Sequence, residues 1–244
     1  MVAASHPVAV RIGVDLLRRG GSAVDAAIAA NAALGFLEPT ACGIGGDLFA
    51  IVWDAADGRL HAVDGSGRAP RALTAERVRP DDDGTIPLFS PFSWTVPGAV
   101  DAWFELHDTF GRLPMADVLA PAIESAEEGE PVPRVIAAEW QEAATTLRDK
   151  PGFASTFLPG GESPREGQPF RNPRLAAAYR LLATDGRDAF YRGPIARTLV
   201  AFSEKHGGFF QLEDLADHRS DRITPISTSY RDVEVFELPP AGQG

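Results

Sequence analysis

The pattern of apolar and polar positions predicts a helix at the start of the chain. Ser5-His6-Pro7 is typical of a helix N-terminus, because proline in the first helical turn loses no hydrogen bond. Apolar residues then recur at helical spacing, with Val10, Val14 and Leu17 on one face, until Gly20-Gly21 ends the helix. We expect His6 to cap or pack against this helix, and a functional imidazole is the less favoured alternative.

Ser22 and Asp25 predict the start of a second helix. Their Ser-x-x-Asp spacing is a variant of the capping box. The segment that begins there, Ala23 to about Leu37, is small and apolar on nearly every side. A helix with so little polarity is expected to lie buried against a sheet.

The stretch from Pro39 to Pro70 predicts a hairpin between two glycine-rich turns. Residues 48–53 form a continuous apolar run, which is typical of a strand covered on both faces. Asp57-Gly58 supplies the positive φ of a tight turn into the second strand, Leu60 to Asp64. Three glycines before the hairpin are expected to let the backbone pass close to a neighbouring element: Gly43, Gly45 and Gly46.

The rest of the chain predicts mainly helices, with a surface loop and two closing strands. Residues 151–173 are rich in glycine, proline and charge, which indicates the loop. The closing strands, Ile223–Ser229 and Val233–Leu238, are expected to be joined by a turn at residues 230–232. The helices are expected to run from just after Gly98 to Phe110, from Met115 to Glu128, from Val132 to Leu147, from Pro173 to Ala183 and from Ile195 to Lys205.

Length and charge limit the classes of protein to consider. The 244 residues, 44% of them hydrophobic, allow one large domain or two small ones. A net charge of −11 argues against a nucleic-acid or anionic-membrane surface. No apolar leader precedes the first helix, and no run approaches the roughly 20 apolar residues of a membrane span. We therefore expect a cytoplasmic protein without membrane contact, or a periplasmic or secreted one if the chain has been trimmed.

Local motifs for catalysis, metal binding or cofactor binding are scarce. Cys42 is the single cysteine, which excludes an intrachain disulfide and a cysteine metal cluster. The five histidines have no spaced carboxylate or cysteine partner, and the acidic run at residues 81–83 lacks calcium-loop spacing. The glycine cluster precedes a strand, whereas phosphate-binding loops follow a strand and open a helix. We expect no metal site and no cofactor.

Eight short motifs occur in order along nearly the whole chain. They are Met1–Pro7, Gly20–Ala27, Gly43–Asp47, Val96–Gly98, Phe190–Gly193, Glu213–Leu215, Thr224–Ile226, and Pro239-Pro240 with the closing glycines. In this order they resemble the large-subunit region of the gamma-glutamyltransferase (gamma-glutamyltranspeptidase) family.

The resemblance implies an N-terminal-nucleophile hydrolase of the α/β (α+β) class. Its fold is a four-layer α-β-β-α sandwich, of which residues 1–244 are expected to supply the large-subunit part, incomplete at the C-terminal end. Family members cut a precursor before a threonine, and that threonine attacks the γ-amide of γ-glutamyl substrates such as glutathione, with its own α-amine as base. The implied partner is the small subunit that carries the threonine and completes the sheet of the hairpin and the closing strands.

The first departure from the family concerns the nucleophile. Thr40 and Thr224 lie inside structural motifs, so the catalytic threonine is expected outside this chain. We expect no catalytic residue in residues 1–244 and no activity from them alone.

The second departure concerns the arginine that holds the substrate's α-carboxylate in the family, two residues past an aspartate. Here Asp64 is followed by Gly65 and Ser66, and the arginine is Arg68. A guanidinium clamp is directional, so this displacement matters. We predict Arg68 and Ser66 as substrate-binding residues, with the alternative that Arg68 only pairs with a surface carboxylate.

Three functions stay open at this point. The first is a gamma-glutamyltransferase or γ-glutamyl hydrolase, as the resemblance implies. The second is an amidase or acylase of the same fold with a different acyl group, which Ser66 favours. The third is a non-catalytic fragment or binding protein, which the absent threonine favours.

Overall fold

The structure is a computed structural model and describes residues 1–242, so Gly244 of the closing motif lies outside the described residues. The chain divides into two compact units, Met1–Gly43 with Phe110–Gly186, and Ile44–Thr109 with Arg187–Gly244. Helices alternate with short antiparallel strands, which is the predicted α+β composition. The helices are α1 (Pro7–Arg18), α2 (Ala23–Leu37), α3 (Ala99–Phe110), α4 (Met115–Glu128), α5 (Arg134–Leu147), α6 (Phe153–Phe157), α7 (Pro173–Asp185), α8 (Arg187–Tyr191), α9 (Pro194–Lys205) and α10 (Leu212–Ala216). The strands are β1 (Phe49–Asp54), β2 (Arg59–Asp64), β3 (Glu130–Pro131), β4 (Pro169–Phe170), β5 (Asp221–Ile223), β6 (Ile226–Tyr230) and β7 (Val233–Glu237).

Helix α1 forms where it was predicted, but a different face is buried. His6 caps the helix, since its Nδ1 accepts a hydrogen bond from the Val8 amide at 3.2 Å. The buried positions are Ala9, Ile12, Gly13 and Leu16, whereas the three predicted ones are only half-buried. Gly13 explains the rotation of the buried face, because a side chain there would meet Val2 and the carbonyl of Ala26.

Helix α2 is buried, but helices and not a sheet provide its main contacts. It packs against α1 and α4 in the first unit. The buried Tyr179 of α7 also donates a hydrogen bond to the carbonyl of Ala32 at 2.9 Å. The alanine-rich surface of α2 permits such close approach of helices, and the sequence pattern could not distinguish a helix from a sheet as the partner.

The predicted capping box at the start of α2 is confirmed. The Ser22 hydroxyl accepts a hydrogen bond from the Asp25 amide at 3.0 Å, and the Asp25 carboxylate accepts one from the Ser22 amide at 2.7 Å. The same carboxylate accepts hydrogen bonds from the amides of Arg112 and Leu113 at 3.0 and 3.2 Å. Asp25 therefore joins α2 to the loop before α4 as well as capping its own helix.

We expect Ser22→Ala to lower the free energy of unfolding of the complete protein by about 1 kcal/mol, the usual cost of an N-cap. The measurement is chemical denaturation at neutral pH, with Thr146→Ala on the exposed side of α5 as the control. An equal, small effect of both variants would contradict the role of Ser22 as a cap.

The segment at residues 151–173 is not simply a surface loop, which corrects the prediction. It contains α6 and β4, and Leu158 and Phe170 within it are buried. The Phe170 ring packs edge-on against Trp140 at 4.7 Å between centroids and stacks on Phe36 at 5.7 Å. These aromatic contacts anchor a segment whose glycines and prolines had indicated a loop.

The second unit contains a three-stranded sheet of order β1-β2-β5 and a separate ribbon of β6 and β7. The predicted single strand at residues 223–229 is therefore divided. Strand β5 pairs with β2, with Asp221 opposite Asp64, whereas β6 pairs with β7. Pro225 lies between them and has no amide hydrogen to continue a ladder.

Strand β1 has an exposed face, so the prediction of cover on both faces is wrong for the chain as described. Phe49, Ile51 and Trp53 are exposed, and the residues between them are half-buried. Ribbon residues Ile226, Tyr230 and Val235 are exposed as well. Within residues 1–242, no helix is long and apolar enough to cross a membrane.

Candidate functional site

The turn after β2 carries both predicted substrate-binding residues, and two carboxylates fix its backbone. The amide of Ser66 donates to the Asp64 carboxylate at 2.8 Å, and the amide of Gly67 donates to the Asp47 carboxylate at 2.9 Å. Partial burial raises the pKa of Asp47, and the Gly67 hydrogen bond opposes that rise. The turn therefore has a defined conformation before any ligand binds.

Arg68 lies at the end of this turn with its side chain 62% exposed. Its Nη2 donates to the Asp221 carboxylate at 2.8 Å, and its Nη1 donates to the carbonyl of Arg219 at 3.3 Å. Ser66 is half-buried. The structure thus brings Ser66 and Arg68 onto one turn, and it also gives Arg68 the carboxylate partner that the alternative interpretation required.

The turn lies against the segment that leads into α3. A Cβ on Gly65 would be 2.7 Å from the Ala102 Cβ and 2.8 Å from the Leu48 carbonyl oxygen, so only glycine fits. The amide of Gly65 donates to that same Leu48 carbonyl at 2.8 Å. The carbonyl of Gly46 accepts hydrogen bonds from the amides of Gly98 and Ala99, at 3.0 and 2.9 Å. Backbone contacts therefore join the turn, the glycine segment and the start of α3.

An ion pair that is largely buried binds the backbone next to the partners of Arg68. Asp101 of α3 pairs with Arg187 of α8, and their side chains are 6% and 19% exposed. The Asp101 carboxylate also accepts a hydrogen bond from the amide of Ser220, and Arg187 donates to the carbonyl of His218. Burial opposes ionisation of Asp101, but the hydrogen bonds from Ser220 and Arg187 and the Arg187 charge outweigh it and lower the pKa of this carboxyl.

Tyr191 and His218 complete this buried cluster. The Tyr191 hydroxyl donates to the carbonyl of Pro97 at 2.8 Å and accepts from the amide of Asp101 at 2.9 Å. The Arg187 guanidinium lies over the Tyr191 ring, 4.4 Å from its centroid, and the His218 ring stacks against Tyr191 as well. Burial lowers the pKa of His218 against the opposing charge of Asp101, with Arg187 and Arg68 adding to the decrease.

No sequence motif predicts the pairing of Asp101, Arg187 and His218, and Tyr191 appears only within the Phe190–Gly193 motif. Asp101, Arg187 and His218 lie far apart along the chain, and each contact joins different elements. One signal was available, since Asp101 follows Ala99 and Val100 and precedes Ala102 and Trp103 in an apolar helical stretch. A carboxylate there has to be paired, because an unpaired buried charge is very costly.

The hairpin brings together a histidine and two carboxylates that the sequence reading did not associate. Possible ligand atoms of Asp54, Asp57 and His61 lie within 4.8 Å of one another. The three residues are exposed or half-buried. Their oxygens already accept hydrogen bonds in the turn, from the amides of Ala56 and Arg59. We assign this group no function, and the predicted lack of a metal site stays a prediction.

Comparison with known proteins identifies the family. A family model described as Gamma-glutamyltranspeptidase matches residues 9–244. The oxamate amidohydrolase proenzyme of Klebsiella pneumoniae is 38% identical over 250 residues, which cover 100% of this chain and 47% of that protein. The glutathione hydrolase-like YwrD proenzyme of Bacillus subtilis is 34% identical over 245 residues, which cover 100% of this chain and 46% of that protein.

Solved structures agree with this assignment. The crystal structure of cephalosporin acylase from Bacillus halodurans superposes with a TM-score of 0.89 and is 43% identical, covering 97% of this chain and 45% of that one. The predicted fold class, that of the N-terminal-nucleophile hydrolases, is thereby confirmed. This chain spans somewhat less than half the length of the curated relatives it matches. Its ordered motifs, its fold and the match to the family model together show that the chain belongs to the gamma-glutamyltranspeptidase family.

Proposed function

We propose that the whole protein is an amide-cleaving enzyme that acts on acyl groups bearing a carboxylate, and that Arg68 binds that carboxylate. The observation that carries this proposal is the exposed Arg68 guanidinium on a turn that Asp64 and Asp47 hold by hydrogen bonds. A guanidinium has five N–H donors, and the contacts to Asp221 and Arg219 use two of them. The remaining donors and the positive charge are available to a substrate carboxylate.

The chemistry named for the relatives supports this substrate class. Oxamate and glutathione, which appear in the names of two of them, both carry a carboxylate on the acyl side of an amide. The named activities of amidohydrolase, acylase and glutathione hydrolase all break an amide bond. A single carboxylate-binding arginine would therefore serve several acyl groups on one scaffold.

The bond-breaking groups are proposed to lie outside this chain. An N-terminal threonine on a small-subunit partner would attack the amide carbon while its α-amine accepts the hydroxyl proton. The amine of the substrate would leave with that proton, and water would then hydrolyse the threonine ester. Residues 1–242 contribute orientation, since Arg68 would hold the acyl group at its far end.

The exposed apolar side chains of β1 and of the β6–β7 ribbon favour a partner chain. Phe49, Ile51 and Trp53 on one strand, with Ile226 and Val235 on the ribbon, form more exposed apolar surface than isolated hydrophobic residues would. Open strand edges also favour a partner chain, because their unpaired backbone groups promote association. We propose the small subunit as the chain that covers them.

A second candidate function is hydrolysis or transfer restricted to γ-glutamyl groups. It is favoured by the glutathione hydrolase-like relative and by Asp64, which matches the aspartate that precedes the family's arginine. Against it stands Ser66, which occupies the position where the family has its arginine. A neutral hydroxyl at that position changes the charge next to the acyl group.

The test is cleavage of a panel of p-nitroanilides by the complete, matured protein. The γ-glutamyl anilide carries a carboxylate and an ammonium group, the glutaryl anilide only the carboxylate, and the 4-aminobutyryl anilide only the ammonium group. We expect the first two to be cleaved with a kcat/KM at least about tenfold higher than the third. The third substrate lacks one charged hydrogen bond to the protein, and such a loss lowers kcat/KM by at least that factor.

The other outcomes are equally clear. Equal cleavage of all the anilides would contradict carboxylate recognition. Strong preference for the γ-glutamyl anilide over the glutaryl one would favour the second candidate. Failure to cleave any amide, in a preparation with a processed threonine, would favour a non-catalytic binding protein.

A further inference from the structure

The contacts that orient Arg68 come from one short segment, His218 to Asp221. Its Arg219 carbonyl accepts from Nη1 of Arg68, and its Asp221 carboxylate accepts from Nη2. Asp221 is also the first residue of β5, opposite Asp64 at the end of β2. The direction of the guanidinium therefore depends on where this segment lies.

The backbone of the segment is held by the buried pair of Asp101 and Arg187. Arg187 donates to the carbonyl of His218 at one end, and the Asp101 carboxylate accepts from the amide of Ser220 near the other. The two side chains also bind each other. Both contacts to the segment are thus made by groups that are themselves fixed in a buried cluster.

Arg187 is suited to this role by its shape. Its Nε faces Asp101, its Nη2 faces the carbonyl of His218, and its planar group lies over the Tyr191 ring. A lysine keeps the charge but presents a single ammonium group, which cannot make these contacts in the same directions. The arginine geometry, and not only its charge, determines the position of the segment.

We propose that Arg187, acting with Asp101 through residues 218–221, is a positioning residue that sets the specificity of Arg68 for a substrate carboxylate. This inference rests on the proposed function, in which Arg68 binds that carboxylate. Arg187 itself does not touch the substrate in this proposal. It fixes the carbonyl and carboxylate partners that aim the Arg68 guanidinium.

The experiment compares Arg187→Lys with the wild type in the complete, matured protein, using the same panel of anilides. We expect KM to rise about threefold to twentyfold for the γ-glutamyl and glutaryl anilides, a change within the range of coupling between residues of one network. The KM of the 4-aminobutyryl anilide and every kcat should change by less than about twofold. In an Arg68→Ala background, Arg187→Lys should have no further effect on the carboxylate substrates.

Asp101→Asn is the second variant, and it keeps the shape of the buried side chain. Arg187→Ala is avoided because it would leave a buried carboxylate unpaired and endanger folding. It should show the same selective rise in KM. Arg180→Lys is the matched control, since Arg180 is an exposed arginine of α7 that pairs with Glu127 of α4 in the first unit. It should leave the whole panel unchanged.

An equal effect of Arg187→Lys on all the anilides would overturn the inference and leave Arg187 a structural residue. A selective effect of Arg68→Ala with none for Arg187→Lys and Asp101→Asn would also overturn it, while the proposed function would stand. If Arg68→Ala itself failed to discriminate between the anilides, the proposed function would fail and the inference would fall with it.

Discussion

Replacing Gly98 with alanine should lower the free energy of unfolding of the complete protein by about 3 kcal/mol or more, the upper end of the range for overpacked sites. A Cβ at this position would overlap the carbonyl oxygen of Gly65 and lie 2.8 Å from its carbonyl carbon. The atoms in the way are backbone atoms, so no side-chain rotation can relieve the overlap. The backbone at Gly98 is also fixed by its own hydrogen bond to the Gly46 carbonyl.

Gly45→Ala is the matched control for this prediction. A Cβ at Gly45 would meet nothing within 4 Å, and Gly45 has no positive φ. Alanine there should change the free energy of unfolding by less than about 1 kcal/mol in either direction. Urea denaturation of both variants gives the comparison. Similar stabilities of Gly98→Ala and Gly45→Ala would contradict the expected overlap between a Cβ at position 98 and the Gly65 carbonyl.

Reasoning from the sequence succeeded only in part for the glycines. The cluster of Gly43, Gly45 and Gly46 was expected to mark a close backbone approach, and Gly46 does accept backbone hydrogen bonds from Gly98 and Ala99, whereas a Cβ on Gly45 would meet nothing within 4 Å. The close approach of Gly65 and Gly98, which are separated by 33 residues, was not predicted. A crossing between distant segments leaves no local pattern, because each glycine alone resembles an ordinary turn residue.

Local signals predicted most of the secondary structure. The capping box of α2 and the proline at the start of α1 gave helix boundaries close to those observed. Such signals succeed because the groups that satisfy a helix end are its sequence neighbours. The division of the predicted strand at Pro225 could have been anticipated from the missing amide hydrogen alone.

The candidate site was predictable only in part, because local signals do not reveal partners that are distant in the sequence. Resemblance to the family pointed to Ser66 and Arg68, which lie within one motif. Asp221, the partner of Arg68, is 153 residues away, and Asp101 and Arg187 are 86 residues apart. Pairing between such distant residues is determined by the fold and has no periodicity in the sequence. Hence the sequence identified the turn that carries Arg68 but not the distant residues that hold Arg68 and its partners in place.

The second large effect is expected from Arg68→Ala in the matured protein. Under the proposed function, kcat/KM for the γ-glutamyl and glutaryl anilides should fall at least about tenfold, because the variant would remove one charged hydrogen-bond partner of the carboxylate. The effect should lie near the lower end of the 2–5 kcal/mol range for such contacts, since Arg68 is well exposed and solvent screens its charge. For the 4-aminobutyryl anilide, kcat/KM should change by less than about threefold.

Loss of stability is not expected to explain this result. The Arg68–Asp221 ion pair is exposed on both sides, and such pairs contribute about 1 kcal/mol or less. Arg71→Ala is the matched control, because Arg71 is equally exposed and pairs with Asp217 at the same distance of 2.8 Å. It should reproduce any effect of losing a surface ion pair and leave the panel unchanged.

The ratio of kcat/KM between the anilides, compared between the wild type and Arg68→Ala, decides the role of Arg68. If all the anilides lose activity alike, Arg68 is a structural partner of Asp221 and the carboxylate is held elsewhere. If the glutaryl anilide is already a better substrate of the wild type than the γ-glutamyl one, and Arg68→Ala lowers both relative to the 4-aminobutyryl anilide, then Arg68 selects the carboxylate and the α-amino group contributes little. A neutral Ser66 where the family has its arginine is consistent with that second outcome, since the positive charge of the pocket would then come from Arg68 alone on this turn.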